Sequence, residues 1–403
     1  MERVENQVVV LVLMQYYCPA FKGGGPIRSV SNAAERLVGQ VFFRIVTRDR
    51  DFGDATAFSD ILADSWQMVG QAEVNYRTPA AIRPFPMLKL LRETPHDVLY
   101  LNSLLNWRFS VVPLVWRRLG LLPQRPVLLA PRGELSQGAL SLKPAKKRVY
   151  IRLAKMLGLV RGVTWHASSA LEQREIEQWF SDSGPDGGRP EVRVALNLGP
   201  ALRGADGSPP PAHKAAGSLR LVFVSRITAK KNLDYLLRLL PGLSGQIALD
   251  IYGPIGRHQA FWARCQSLIA DMPPHVVVTY HGPIPNEKVA AVFAAHHVFC
   301  FPTLGENYGH VVLESLLAGC PVVISDQTPW QDLEERGVGW VIPLAERDRY
   351  AQVLQELVDM GQATFDAYSK RARTYATQAA GDESVLEQNR RLFEGLVERH
   401  ADG

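Results

Sequence analysis

Short runs of β-branched and other apolar residues alternate with stretches of helical periodicity along the whole chain. This alternation predicts parallel strands covered by helices on both faces. In the first half the runs are Val8 to Met14, Phe42 to Thr47, Val98 to Asn102, Val127 to Pro131, Val163 to Ala167 and Val192 to Asn197, with helical stretches such as Ile27 to Val38 between them. Residues 204–218 carry prolines at 209, 210 and 211 and several Gly and Ala, bury little, and read as a linker. A second series then starts: Leu219 to Ser225, Ile247 to Tyr252, Val276 to His281, Val298 to Pro302, Val322 to Ser325 and Trp340 to Pro343. The pattern gives an α/β chain of two domains, residues 1–203 and 219–380. A last helical segment, 381–403, follows, for which a return to the first domain is one option. Open parallel sheets bind ligands beyond the carboxyl ends of their strands, so the candidate chemistry belongs in the strand-to-helix loops.

The 403 residues are too many for one core and suit two. A net charge of +5 fits an acidic small ligand, an anionic membrane surface or nucleic acid, and alone selects none of them. Cys18, Cys265, Cys300 and Cys320 lack paired metal-ligand spacing, and the last two sit in apolar runs, which reads as a reducing cytoplasm. The apolar start lacks the basic region and cleavage site of a signal peptide and reads as a first buried strand. No apolar run approaches the ~18 residues of a spanning helix, so membrane contact is expected to be peripheral.

The richest segment is Phe301-Pro302-Thr303-Leu304-Gly305-Glu306-Asn307-Tyr308-Gly309-His310-Val311-Val312-Leu313-Glu314, a strand-to-helix turn bracketed by two carboxylates. Gly305 and Gly309 let backbone amides approach a ligand, and a helix starting near His310 points its unpaired N–H groups at an anion. Glu314, on an otherwise apolar helix, wants hydroxyls or a cation. A second strand-to-helix turn, Ser225-Arg226-Ile227-Thr228-Ala229-Lys230-Lys231-Asn232, brings cations to the same edge. Arg226 offers a bidentate fork and Lys231 a compact charge, able to neutralise a departing diphosphate without a metal.

With Ala318-Gly319-Cys320-Pro321-Val322-Val323 behind them, these segments resemble glycosyltransferase family 4 (glycosyl transferases group 1). The resemblance is close over residues 219–343 and patchy before 200. It implies a GT-B fold, two Rossmann-like domains facing a cleft, and a nucleotide-sugar donor, by family habit UDP-linked. Glu306 would touch the donor sugar, Glu314 the ribose, Arg226 and Lys231 the diphosphate, and Asn307, Tyr308, Gly309 and His310 the donor loop. His281-Gly282-Pro283-Ile284 resembles the loop beside the nucleobase, and Lys22-Gly23-Gly24-Gly25-Pro26 the glycine loop facing the phosphates, through Gly24 and Gly25. Two departures stand out. Asn232 replaces a frequent Gly, and Arg132, in Ala130-Pro131-Arg132-Gly133-Glu134, replaces a His near the reacting sugar. Arg132 cannot be a base, though it can stabilise charge; Glu134 and His166 are further candidates near that place.

Retaining transfer to a glycan or lipid-linked glycan in cell-surface polysaccharide synthesis is the expected activity, with no metal and no nucleic acid. A non-catalytic nucleotide-sugar-binding protein and a sugar-nucleotide epimerase of the same fold are the alternatives. Asp49-Arg50-Asp51 has the form of a metal-binding acidic pair but lies in the half opposite the donor motifs, and the glycine spacing does not give a nicotinamide fingerprint. Lys143 to Leu157 is basic and amphipathic, with Val149, Tyr150, Leu153, Ala154 and Leu157 on one face. It fits either an anionic inner membrane surface or packing on its own sheet.

Overall fold

The computed structural model describes residues 7–136, 144–184, 187–202 and 212–401. The chain forms two compact units, Met1–Ala201 with Asp382–Gly403, and Leu202–Gly381. Lys143 and most of the proline-rich segment, 203–211, lie outside the described residues.

In the first unit the strands are β1 (Val8–Leu13), β2 (Val41–Arg48), β3 (Trp66–Val69), β4 (Ala72–Arg77), β5 (Val98–Leu101), β6 (Val127–Leu129), β7 (Thr164–Ala167) and β8 (Glu191–Val194). They form one sheet in the order β3-β4-β2-β1-β5-β6-β7-β8, parallel throughout except for β3 against β4. Val9 to Leu13 are all buried because β1 is central and covered on both faces, which is why it reads as an unbroken apolar run. The β3–β4 hairpin has no such run. Glu73, Asn75 and Arg77 interrupt β4, yet Arg44 Nε donates to Glu73 at 2.6 Å and its guanidinium lies over Trp66 at 5.0 Å. The helix Glu383–Ala401 completes this unit. Its Phe393 packs edge-on against Phe43 and Tyr100, with ring centroids 5.5 and 5.7 Å apart.

The second unit has β9 (Ser218–Val224), β10 (Gln246–Tyr252), β11 (Val276–Gly282), β12 (Val298–Phe301), β13 (Val322–Ser325) and β14 (Gly339–Ile342), in the order β11-β10-β9-β12-β13-β14, all parallel. All six expected runs are strands. Buried Phe223, Phe299 and Phe301 stack through the core beside Leu249 and Ile324. The chain enters this unit through Lys214, whose buried ammonium donates to the carbonyls of Ala215, Val358 and Met360. Because the strands of each sheet other than β3 run parallel, the loops that follow them gather on one edge.

Candidate active site

In the second unit, the loops after β9, β12 and β13 are tied together by two main-chain bonds and one from a side chain. Leu304 N donates to Lys230 O at 2.8 Å, Glu306 N to Gln327 O at 2.8 Å, and Asn232 Nδ2 to Pro302 O at 2.9 Å. Asn232 holds a left-handed backbone, φ 60°, which explains its exchange with Gly: Asn is the side-chain-bearing residue that most readily accepts this region. Gly309 caps the helix His310–Leu317 at φ 82°. A Cβ there would lie 3.2 Å from Trp330 Nε1 and 3.3 Å from Glu306 Cγ, so both conformation and space call for glycine. Trp330 Nε1 donates to Tyr308 O at 2.6 Å, fixing the last turn before the helix. Trp330 and Gln327 act through the fold and carry no local signature by which sequence reasoning would find them.

Lys231 Nζ makes an ion pair with Glu306 Oε2, and the ammonium also lies 5.0 Å from the Phe301 ring centroid. Burial would raise the Glu306 carboxyl, but the Lys231 charge and hydrogen bond, with Lys230 beyond, outweigh it and hold the group below its ordinary range. Desolvation lowers the Arg226 pKa, with the Glu306 charge opposing it, while the residue keeps surface open to a ligand. Arg226 in turn helps keep His258 neutral, after desolvation. The helix amides at His310, the Arg226 fork and the Lys231 ammonium are thus at one sheet edge, where an anion with several oxygens can be held. Asn307 N donates to Glu306 Oε1 at 3.3 Å, and the Tyr308 and His310 rings lie 4.7 Å apart. Glu314 is half-buried one turn further along, and Ile284, after β11, packs against the core.

In the first unit, Gly24 takes φ 83° and caps the helix Gly25–Arg36. Asp51 braces this loop, accepting from Phe21 N at 2.9 Å and Lys22 N at 3.1 Å, while Asp49 pairs with Arg50 at 2.8 Å. Arg132, after β6, sits at φ 55°, a strained conformation costing on the order of 1–2 kcal/mol for a residue with a Cβ. Its Nε donates to Asn102 Oδ1 at 2.9 Å, Nη1 to Asn197 Oδ1 at 2.6 Å, and Nη2 to Tyr100 Oη at 2.6 Å. Tyr100 Oη donates at 2.6 Å to His166 Nδ1, whose Nε2–H donates to Ala195 O at 2.9 Å. Burial, then the Arg132 charge, pushes the His166 pKa down to about 3, and both its ring nitrogens are engaged, by Tyr100 and by Ala195 O. Glu134 is likewise a brace. Its carboxylate accepts from Ser103 Oγ, Leu104 N and Leu105 N, and burial nonetheless raises its pKa.

Residues 210–378, nearly all of the second unit, match the model of the glycosyl transferases group 1 family. The second unit is a group 1 glycosyltransferase domain. Among curated relatives, the D-inositol 3-phosphate glycosyltransferase of Streptomyces griseus is 29% identical over 217 residues, 48% of this chain and 46% of that protein. That of Mycobacteroides abscessus is 29% identical over 34% of this chain and 31% of its own length. The chain spans less than half the length of the curated relatives it matches. Two solved structures align over nearly the whole chain: sucrose-phosphate synthase from Thermosynechococcus elongatus (TM-score 0.69, 16% identity, 98% of this chain and 100% of that one) and Anabaena HepE in complex with UDP-glucose (TM-score 0.68, 17%, 97% and 100%). At such identities the likeness is one of fold, which is GT-B. The group 1 model does not reach the first unit, where Gly24, Gly25 and Arg132 lie. Among the described residues no group of three or more His, Cys, Asp or Glu could hold a metal ion, and no helix is long and apolar enough to cross a membrane.

Proposed function

We propose that the chain is a family 4 glycosyltransferase that moves a sugar from a UDP-linked donor to a hydroxyl of a glycan or lipid-linked glycan, with retention of anomeric configuration, in cell-surface polysaccharide synthesis in the cytoplasm. The observation that carries this reading is the Lys231–Glu306 pair beside exposed Arg226 at the N-terminus of the helix His310–Leu317. In the proposed step the bond from the sugar anomeric carbon to the β-phosphate oxygen breaks, and its electron pair leaves with the diphosphate. The acceptor oxygen bonds to the same carbon on the same face, and its proton passes to the departing phosphate oxygen. Arg226, Lys231 and the helix amides stabilise the charge that develops on the diphosphate, the role a metal would otherwise fill. Glu306 orients the donor sugar and Glu314 receives the ribose hydroxyls. Gly24 and Gly25 contribute amides to the phosphates, and Arg132 stabilises charge near the reacting sugar.

Support for a UDP-linked donor comes from HepE, solved with UDP-glucose, and support for sugar transfer from the group 1 model. The test pairs two measurements. Product anomeric configuration by NMR should match the donor, and an inverted product overturns the retaining step. In calorimetry with UDP, Glu314→Ala should weaken binding about tenfold while Glu306→Ala spares it and depresses turnover. If both variants turn over the donor normally, the site is elsewhere. Tight UDP-sugar binding without any turnover would favour a binding protein, and turnover of the donor without an acceptor an epimerase.

A further inference from the structure

We infer that the outward face of the helix Pro144–Met156 docks the protein on an anionic lipid bilayer. The helix divides differently from the face its periodicity suggests. Ile151 and Ala154 are buried, and Tyr150 Oη donates to Leu104 O at 3.0 Å, which fixes the inward side. Val149, Leu153 and Met156, with Leu157 just past the helix end, turn outward at 55, 45, 74 and 53% exposure. They fall at positions i, i+4, i+7 and i+8, a single stripe along the helix. Exposed apolar residues scattered one by one are ordinary, whereas an aligned stripe marks a contact surface.

The charges beside the stripe select its occupant. Lys146, Arg148 and Arg152 are exposed, and the helix contains no acidic residue. The remaining two cations face elsewhere: Lys155 pairs with Asp182 at 2.6 Å, and half-buried Lys147 faces Glu134. An apolar stripe bordered by cations complements the boundary between acyl chains and phosphate headgroups, where the helix would lie in the plane of the surface. A second copy docked by twofold symmetry would set the same cations against each other, which disfavours self-association through this face.

The docking surface does not depend on the proposed sugar transfer, since vesicle binding and turnover are separate readouts. The full chain should sediment with vesicles rich in phosphatidylglycerol at low salt, and binding should fall away with phosphatidylcholine alone or at high salt. Replacing two cations, Arg148→Gln with Arg152→Gln, should weaken it on the order of thirty-fold, at about 1 kcal/mol per cation. The pair Leu153→Ser and Met156→Ser should weaken it at least about tenfold through lost apolar burial. Both double variants should keep the wild-type unfolding midpoint, because these side chains are exposed. Absence of binding to the anionic vesicles overturns the proposal, as does binding that either double variant leaves unchanged. A concentration-dependent dimer that Leu153→Ser abolishes, without vesicle binding, would assign the face to a second copy instead.

Discussion

The two units present charge at the edge of a parallel sheet in opposite ways. In the second unit the groups come from two continuous segments, 225–232 and 301–314, and Lys231 reaches Glu306 directly. In the first, one guanidinium is held by Tyr100 and Asn102 at the end of β5 and by Asn197 beyond β8, on a backbone in a left-handed conformation. A site made of contiguous loops is set by local sequence and survives as a motif. A site assembled from distant side chains keeps its geometry only while the whole sheet keeps its register, and leaves no motif.

Four experiments would break or sharpen that contrast. The largest effect is expected in the second unit. Lys231→Ala should lower turnover by about 10²–10³, the usual loss for a preorganised group facing developing charge, and should also lower the unfolding midpoint because Glu306 loses its counter-charge. Arg226→Ala should give a comparable loss of turnover with the midpoint unchanged, since Arg226 is exposed. Normal turnover in either variant would remove the diphosphate role.

Next comes Arg132→Gly, which keeps the backbone conformation at no steric cost while deleting the cation. Turnover should fall by about 10–100-fold with UDP affinity unchanged, and added guanidinium should restore part of the rate. Weakened UDP binding would mean that the first unit contributes to the donor site through Arg132, and the contrast would fail.

The third effect is on stability. Burial drives His166 to a pKa of about 3 in the first unit, and burial drives His297 to about 4 in the second. Both values lie below the ~6.5 of an unfolded chain, so each stabilising contribution is complete above pH 6.5 and is lost as pH falls toward 4 and 3. The midpoint should fall steadily with acidification from pH 6.5, and neither ring should titrate by NMR between pH 8 and 5. A His166 ring that titrates near 6.5 would show that the Tyr100–His166 bond does not hold. The smallest expected effect is none at all: EDTA should leave turnover within about twofold, because Arg226 and Lys231 already supply the positive charge. A metal-restored loss would overturn that assignment.

The sheets and the donor loops were legible because their signals are local. Central β1, and β12 and β13 in the second unit, are unbroken apolar runs because both faces are covered, whereas the edge strand β11 alternates. Asn232 looked like a departure and is the consequence of a φ of 60° that Gly and Asn share. The β3–β4 hairpin was hidden because its polar residues find partners across the sheet, as Glu73 does in Arg44, which alternation alone cannot show. Asp51, whose metal-site form the sequence already argued against, and Glu134, a candidate contact, both accept backbone N–H groups as loop braces. Carboxylates at strand ends serve both purposes, and only the partners distinguish them. The helix Pro144–Met156 was legible as amphipathic, but which half of its apolar surface faces inward depends on Tyr150 meeting Leu104, forty-six positions away.

The closing helix of the chain, Glu383–Ala401, belongs to the first unit although the whole second unit precedes it. On the ribosome, the first unit therefore waits with part of its sheet uncovered while some 180 further residues are made. What finally arrives is Phe393, against Phe43 and against Tyr100, the residue whose hydroxyl holds Arg132. The guanidinium is thus set in place only after the second unit has been made, and a nascent chain stalled before residue 393 would carry the second unit's loops without a finished first-unit site.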